Sequence, residues 1–330
     1  LANIEGVYVP LFPGAVRKRI VADLDSAYYP VKEMVPYAQI IHDRITLEVM
    51  RGCPFSCKFC QAGSFYKPVR IRSREKILEL AKTIYKNTGH DEISLLSLST
   101  GSYPDIVGLI SRLNDEFRDL GVGVSLPSLR SEDILKALPS LIARVRKAGL
   151  TFAIEAGTER LRDMVNKQID IEKVVIACAE AFRLGWRSIK FYFMISLPSE
   201  TYEDLQGIAD FADRILKLDR SAVISLSVTA FIPKKGSAFE NEKMDPLEVI
   251  LDKQRFLKDR IRGRRVRLRF NDARVSVLEG ILSRQDKGLS GVILAAWREG
   301  AKFDSWREHF KFEIWARALE QNKKGTDYFL

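Results

Sequence analysis

The chain has 330 residues, 46% of them hydrophobic and 29% charged, and a formal net charge of +10. That length and balance belong to a globular protein with a sizeable core, which excludes a disordered or fibrous chain. No apolar run approaches the ~20 residues of a membrane span, no basic-then-apolar leader opens the sequence, and four cysteines, three of them committed to one reduced site, exclude a disulfide framework.

A cytoplasmic location with no membrane partner is therefore expected. The basic surplus favours anionic partners, nucleic acid or phosphorylated molecules. Its densest run is Arg260–Arg269, RIRGRRVRLR. That run reads either as a solvated helix end with a charged edge strand or as an anion contact.

Residues 1–43 hold short extended pieces, GVYVPLF and RKRIVADL, broken by Pro10, Pro13, Pro30 and Pro36. They are expected to form a strand-rich lead-in without its own core. From Arg44 a regular alternation begins. Strand-like runs lie at 45–50, 92–99, 121–128, 150–157, 188–196 and 223–232, with amphipathic helices between them. Ser73 and Gly89 are the expected caps of the first long helix, and Gly121 and Gly185 close two others. A further helix is expected to open at Ser199, with Glu203 near the capping-box position.

Apolar strands alternating with helices imply a parallel sheet covered by helices, in six βα units. An open doubly wound sheet and a partial or complete barrel both satisfy that pattern. After Pro233 the rhythm breaks into helix, the added strand VRLRF, and helix again. Trp297, Trp306 and Trp315 recur at roughly helical intervals, which predicts a helical tail with these rings in its core. The expected boundaries are 1–43, 44–240 and 241–330.

Three of the four cysteines sit in RGCPFSCKFCQAG, directly after the first strand, as Cys53, Cys57 and Cys60. Three thiolates on one loop can converge on one metal centre. A [4Fe–4S] cube takes four ligands, so three leave one iron open to a small chelating molecule, as in catalytic metal sites. A structural zinc site needs a second ligand pair, and only Cys178 and the scattered His42, His90 and His309 remain. A non-catalytic iron–sulfur module for electron transfer or binding is the alternative to a catalytic centre. Further along, the second strand ends in a run of hydroxyls around Gly101. Ser125 and Arg130 follow the third strand, where they could reach the same mouth; Arg130 could fork onto a carboxylate. The fourth strand ends in Glu155, a carboxylate that needs hydrogen-bond partners there.

The cysteine stretch resembles the signature of the radical S-adenosylmethionine (SAM) superfamily. The resemblance implies an α/β fold, an incomplete (β/α)6 TIM-like barrel, whose open iron binds the amino and carboxylate groups of SAM. It implies Phe59 near the adenine, Thr100 and Gly101 at the SAM amino group, and Glu155 at the ribose. It also implies Lys167 near the SAM carboxylate, with Tyr192 and Met194 lining the adenosine from inside the barrel. The implied reaction is reductive cleavage of SAM to a 5′-deoxyadenosyl radical that takes hydrogen from an unknown substrate, RNA or a phosphorylated metabolite among the candidates. An external donor such as flavodoxin or ferredoxin would supply the electron.

The tail runs SVLEGIL and AAWREGAKFDSWREHFKFEIW resemble one branch of the superfamily, usually built with a cobalamin-binding domain ahead and a small domain behind. The residues before Gly6 leave no room for the former, so no cobalamin is expected in this chain, although a separate partner domain could supply it. Departures from that branch are Ile154, Ser196 and the run KKGSAFEN. A methylthiotransferase, which needs three more cysteines, is disfavoured.

Overall fold

Strand and helix alternate because the hydrophobic period changes from two to 3.6. The structure, a computed structural model, describes residues 1–12, 14–125, 150–284 and 287–322. In chain order its elements are β1 (Ile45–Glu48), β2 (Met50–Arg51), α1 (Gln61–Phe65), β3 (Arg70–Ile71), α2 (Arg74–Thr88), β4 (Glu92–Leu96), α3 (Ile106–Phe117) and β5 (Gly123–Ser125). Then come β6 (Leu150–Glu155), α4 (Glu159–Met164), α5 (Ile171–Arg183), β7 (Ser188–Ile195), α6 (Tyr202–Leu218) and β8 (Val223–Ala230). The chain continues through α7 (Leu247–Arg260), β9 (Val266–Phe270), α8 (Ala273–Arg284), α9 (Ser290–Arg298) and α10 (Phe312–Gln321). Ser128 and Arg130 lie outside the described residues.

Two parallel sheets result, β1-β4-β5 and β6-β7-β8-β9, each in chain order. The six expected strands all form, with β9 added as a seventh. The class is α/β, an incomplete (β/α)6 TIM-like barrel with a helical C-terminal region. Because side chains alternate along a strand, one face of each sheet packs under the helices and the other lines the barrel. Ile45, Leu47, Ile93, Leu95, Phe191, Phe193, Ile224 and Leu226 all belong to one buried cluster on the helix side. Phe191 and Phe193 meet Phe211 of α6 edge-on at 5.0 and 5.7 Å. Each such ring contributes roughly 1.5–3 kcal/mol by burial.

The lead-in corrects the sequence expectation. No strand forms among its described residues. Prolines remove ladder donors there, and side chains of the barrel hold its backbone instead. Arg70 donates to the Val21 carbonyl at 3.1 Å, the buried Arg72 to that of Leu24, and Asn87 to that of Val31 at 2.7 Å. The Tyr29 hydroxyl donates to the Thr46 carbonyl at 2.6 Å and accepts from the Glu48 N–H at 3.0 Å. It thus satisfies β1 on the side away from β4, where a closed barrel would pair another strand. Tyr29→Phe strips both bonds from a half-buried edge. It is expected to lower unfolding stability by about 1–3 kcal/mol in urea titrations; an unchanged midpoint would rule out this role for the hydroxyl.

Two further expectations are corrected. α6 is capped by Thr201 and Asp204, which exchange the reciprocal bonds of a capping box, rather than by Ser199 and Glu203; Ser199 sits at φ +60, in the turn before it. In the tail, Trp315 is buried with Val277, Ile281, Val292 and Leu319. Trp297 and Trp306 instead stand 56% and 60% exposed. α9 turns Val292 and Ala296 inward, and Trp297, one residue further, is rotated about 100° from Ala296. Trp306 lies in a turn outside any helix.

Candidate metal and cofactor site

The cysteine loop leaves the barrel between β2 and β3, which pair and draw its ends together. Gly52 starts it at φ +95, where an added Cβ would meet the Tyr66 carbonyl oxygen at 2.8 Å; only glycine fits this close approach. Cys53 and Cys57 are buried and Cys60 is half-buried, and none of the three forms a disulfide. Cys60 is also the N-cap of α1, its sulfur accepting from the Gly63 N–H at 3.3 Å.

Four contacts fasten this loop to the opposite half of the barrel. The Lys58 N–H donates to the Val165 carbonyl at 3.0 Å, and the Phe239 N–H to the Lys58 carbonyl at 3.0 Å. The Asn166 amide donates to the Ser56 carbonyl at 2.9 Å, and that of Gln61 to the Lys235 carbonyl at 2.8 Å. The C-terminal ends of both sheets therefore share one rim, with the cysteines across it. Barrels of this type keep their chemistry on such rims. Phe59 and Met194 pack beneath it with Ala156, Leu161, Leu197 and Phe231.

At the end of β4, Thr100 and Gly101 form a buried 3-10 turn. The Ser97 and Thr100 hydroxyls lie 3.0 Å apart. A cavity of about 260 Å³ lies between the two ends of the cysteine loop and the end of β4, lined by Glu48, Arg51, Gly52, Tyr66, Leu96 and Ser97 among others. A roomier one, about 810 Å³, opens on the helical side around α4, α5 and α6, away from the cysteines. Ser125 is buried beside Ser94 in the β4–β5 register.

Glu155 ends β6 after a bulge, at φ +72. Its carboxylate meets Lys167 Nζ at 2.9 Å, the two side chains only 14% and 5% exposed. The sequence named these residues separately; the structure makes them a pair. Next to it Gly157 packs on α6 so tightly that a Cβ would lie 2.1 Å from the Asp204 carbonyl oxygen. Burial raises the Asp204 pKa, but hydrogen bonds from Thr158 and Thr201 and the charge of Arg160 outweigh it, so the carboxyl titrates below its ordinary range. Buried Arg162 donates to the Ala156 carbonyl at 3.1 Å, and burial lowers its pKa.

On β7, packing of Phe191 and Phe193 against α6 leaves Tyr192 and Met194 on the inner face. Ser196 follows at φ +64, a conformation that glycine adopts freely and that costs other residues roughly 1–2 kcal/mol. Its hydroxyl is buried without a hydrogen-bond partner. Its N–H donates to Glu200 at 2.6 Å, and Glu200 pairs with Lys253 of α7 at 2.8 Å. Burial pushes the Glu200 carboxyl up to about 6 despite that lysine. No local spacing announced this network, because Lys253 arrives from far along the chain. Cys178 is fully buried in α5 and its thiol pKa is pushed up by burial.

Among the described residues, no three His, Cys, Asp or Glu side chains converge on a point that one ion could fill. A mononuclear zinc site needs that convergence, with donors about 2.0–2.3 Å from the metal. A cubane gives each thiolate its own iron and accepts a wider triangle. Three cysteines on one loop, none in a disulfide, are the donor set that a [4Fe–4S] cluster with one open iron takes.

The sequence profile of the radical SAM superfamily matches residues 47–212, half of the chain, from β1 into α6. The chain belongs to the radical SAM superfamily, a family of [4Fe–4S]- and SAM-dependent enzymes. It is 30% identical over 87% of its length to the uncharacterized protein MJ0966 of Methanocaldococcus jannaschii, covering 63% of that protein. It is also 30% identical over 47% of its length to the anaerobic magnesium-protoporphyrin IX monomethyl ester cyclase of Rubrivivax gelatinosus, covering 28% of it. Coproporphyrinogen III oxidase (HemN) from Escherichia coli, a radical SAM enzyme of solved structure, matches 66% of this chain and 52% of its own, at 17% identity and a TM-score of 0.42. The chain thus spans less than two thirds of these proteins. No helix among its described residues is long and apolar enough to cross a membrane.

Proposed function

We propose that this chain is the catalytic barrel of a radical SAM enzyme. Cys53, Cys57 and Cys60 would hold a [4Fe–4S] cluster and leave its fourth iron to the amino and carboxylate groups of SAM. The observation that carries this reading is the fastened rim: three cysteines, none in a disulfide, on a loop bonded to the segments that follow α4 and β8. When bound, cluster and SAM supply the one-electron cleavage that yields methionine and a 5′-deoxyadenosyl radical able to take hydrogen from a substrate.

The protein's part is to bind, orient and keep water out. Phe59 and Met194 offer an apolar wall to the adenine, and Thr100 and Gly101 offer small polar groups to the SAM amino group. Glu155 accepts from the ribose hydroxyls, while Lys167 pairs with Glu155 at 2.9 Å and adds positive charge for the SAM carboxylate. Tyr192 and Ser125 complete the inner lining. Arg130, outside the described residues, is retained as a carboxylate contact. Within this sequence the one further cysteine is Cys178, in the helix layer, so these residues supply no ligand set for the second cluster that methylthiolation needs. An electron donor of the flavodoxin or ferredoxin kind and a separate cobalamin-binding domain are the partners this reading admits.

The test is anaerobic reconstitution with iron and sulfide, reduction, addition of SAM, and chromatography for 5′-deoxyadenosine. Product above a no-protein control is expected. A cluster without product, whose paramagnetic resonance ignores SAM, would replace this reading with the electron-transfer module.

A further inference from the structure

β9 carries Val266, Arg267, Leu268, Arg269 and Phe270, and its alternation divides the two residue types between two faces. Val266, Leu268 and Phe270 pack toward the helix-side core, so both arginines stand on the inner face, exposed. The register extends that face across the sheet. Arg267 lies in line with Ser225 and Lys190, and Arg269 with Ser227 and Tyr192. Lys190 donates to the Tyr192 hydroxyl at 2.7 Å.

Among the described residues no carboxylate balances this charge. The inner residues of β7, β8 and β9 include no Asp or Glu, and among the described residues neither arginine is ion-paired. The acids on the described strands of the facing sheet are already taken, Glu48 by Arg51 at 2.6 Å and Glu92 by Arg44 at 3.3 Å. The backbone positions of Arg267 and Arg269, two residues apart on one strand, lie about 6.7 Å from each other, and that of Lys190 stands two strands away, about 9.6 Å. Three unbalanced cations within that span repel one another until an anion enters.

Three of the four other arginines of the basic run are engaged elsewhere. Arg260 stacks on Phe256 at 5.0 Å, Arg262 pairs with Asp259 at 2.9 Å, and Arg265 donates to the Leu216 and Asp219 carbonyls at 3.0 Å. That leaves a compact cationic spot, not the long stripe a nucleic-acid backbone needs. We propose that the inner face of β7–β9 is the substrate-binding surface. Its substrate is a small organic anion with at least two negative groups, gripped by Arg267 and Arg269 and neutralised further by Lys190. That this anion is a substrate rests on the catalytic reading above; the binding surface does not.

The probe is 1,5-naphthalenedisulfonate, a rigid aromatic dianion, followed by its fluorescence anisotropy on the cluster-loaded chain without SAM. Saturable binding is expected, and R267Q/R269Q should weaken it by about tenfold or more, as loss of paired charge-assisted bonds does. R262Q/R264Q removes the same charge outside this face and should stay within about twofold, since exposed charges act weakly at a distance in salt. Absence of saturable binding, or equal weakening by both double variants, overturns the proposal. Tighter binding of a single-stranded RNA oligonucleotide, weakened by both double variants, overturns it in favour of a polyanion. A chain that binds the dianion through Arg267 and Arg269 yet cleaves no SAM keeps the surface and refutes only the catalytic reading. SAM cleavage without arginine-dependent binding refutes only the surface.

Discussion

Serine at Cys53, Cys57 or Cys60 is expected to remove the cluster and, with it, all detectable 5′-deoxyadenosine. Losing a partner of a metal ligand typically costs 10–100-fold in metal affinity or activity, so losing a ligand itself should exceed about 100-fold. Cys60 gives the cleanest version. Its sulfur caps α1, and serine is at least as good an N-cap, so Cys60→Ser keeps the helix while replacing the thiolate. Cys178→Ser is the counterpart, placing a hydroxyl in the α5 core at some cost in stability without touching iron content. Iron and sulfide content, visible absorbance and product formation on all four variants decide the matter. A Cys60→Ser protein with full iron and normal SAM cleavage would end the assignment.

Lys167→Met should be the most damaging single change away from the cysteines. It leaves the Glu155 carboxylate, 14% exposed, at the end of a buried strand without its cation. Breaking such a pair from one side costs about 3–5 kcal/mol, whereas replacing both partners is far milder. The lower end is expected here because Glu155 retains some water. Thermal unfolding should show a clear loss for Lys167→Met, a smaller one for Glu155→Gln, and partial recovery in the double variant, with the cycle giving the coupling. Weakened SAM binding in both single variants accompanies this if the pair serves the cofactor. A Lys167→Met protein with wild-type melting and SAM affinity would dissolve both roles.

Much of this protein follows from local pattern. The alternation of strand and helix, the caps at Ser73 and Gly89, and the cysteine spacing are short-range properties, carried by side-chain period, hydroxyl acceptors and chelate reach. Two of the three failures were also local in kind. Prolines and extended pieces in residues 1–43 look like strands, yet whether a backbone pairs depends on a neighbour. Here Tyr29, Arg70 and Arg72 supplied the bonds first. Helical spacing in the tail likewise could not tell which tryptophan would meet a partner surface.

What required the tertiary structure was everything joined across distance. Glu155 and Lys167 became an ion pair through the turn after α4. Lys253 reached Glu200 from a helix past the sixth strand. The cysteine loop crossed the rim to Asn166 and Phe239. Composition registered Arg267 and Arg269 only as part of a basic run, because charge in sequence carries no direction. The parallel register of β7, β8 and β9 sorted them, turning those two inward beside Lys190 and Tyr192 while Arg265 turned back to the protein's own carbonyls.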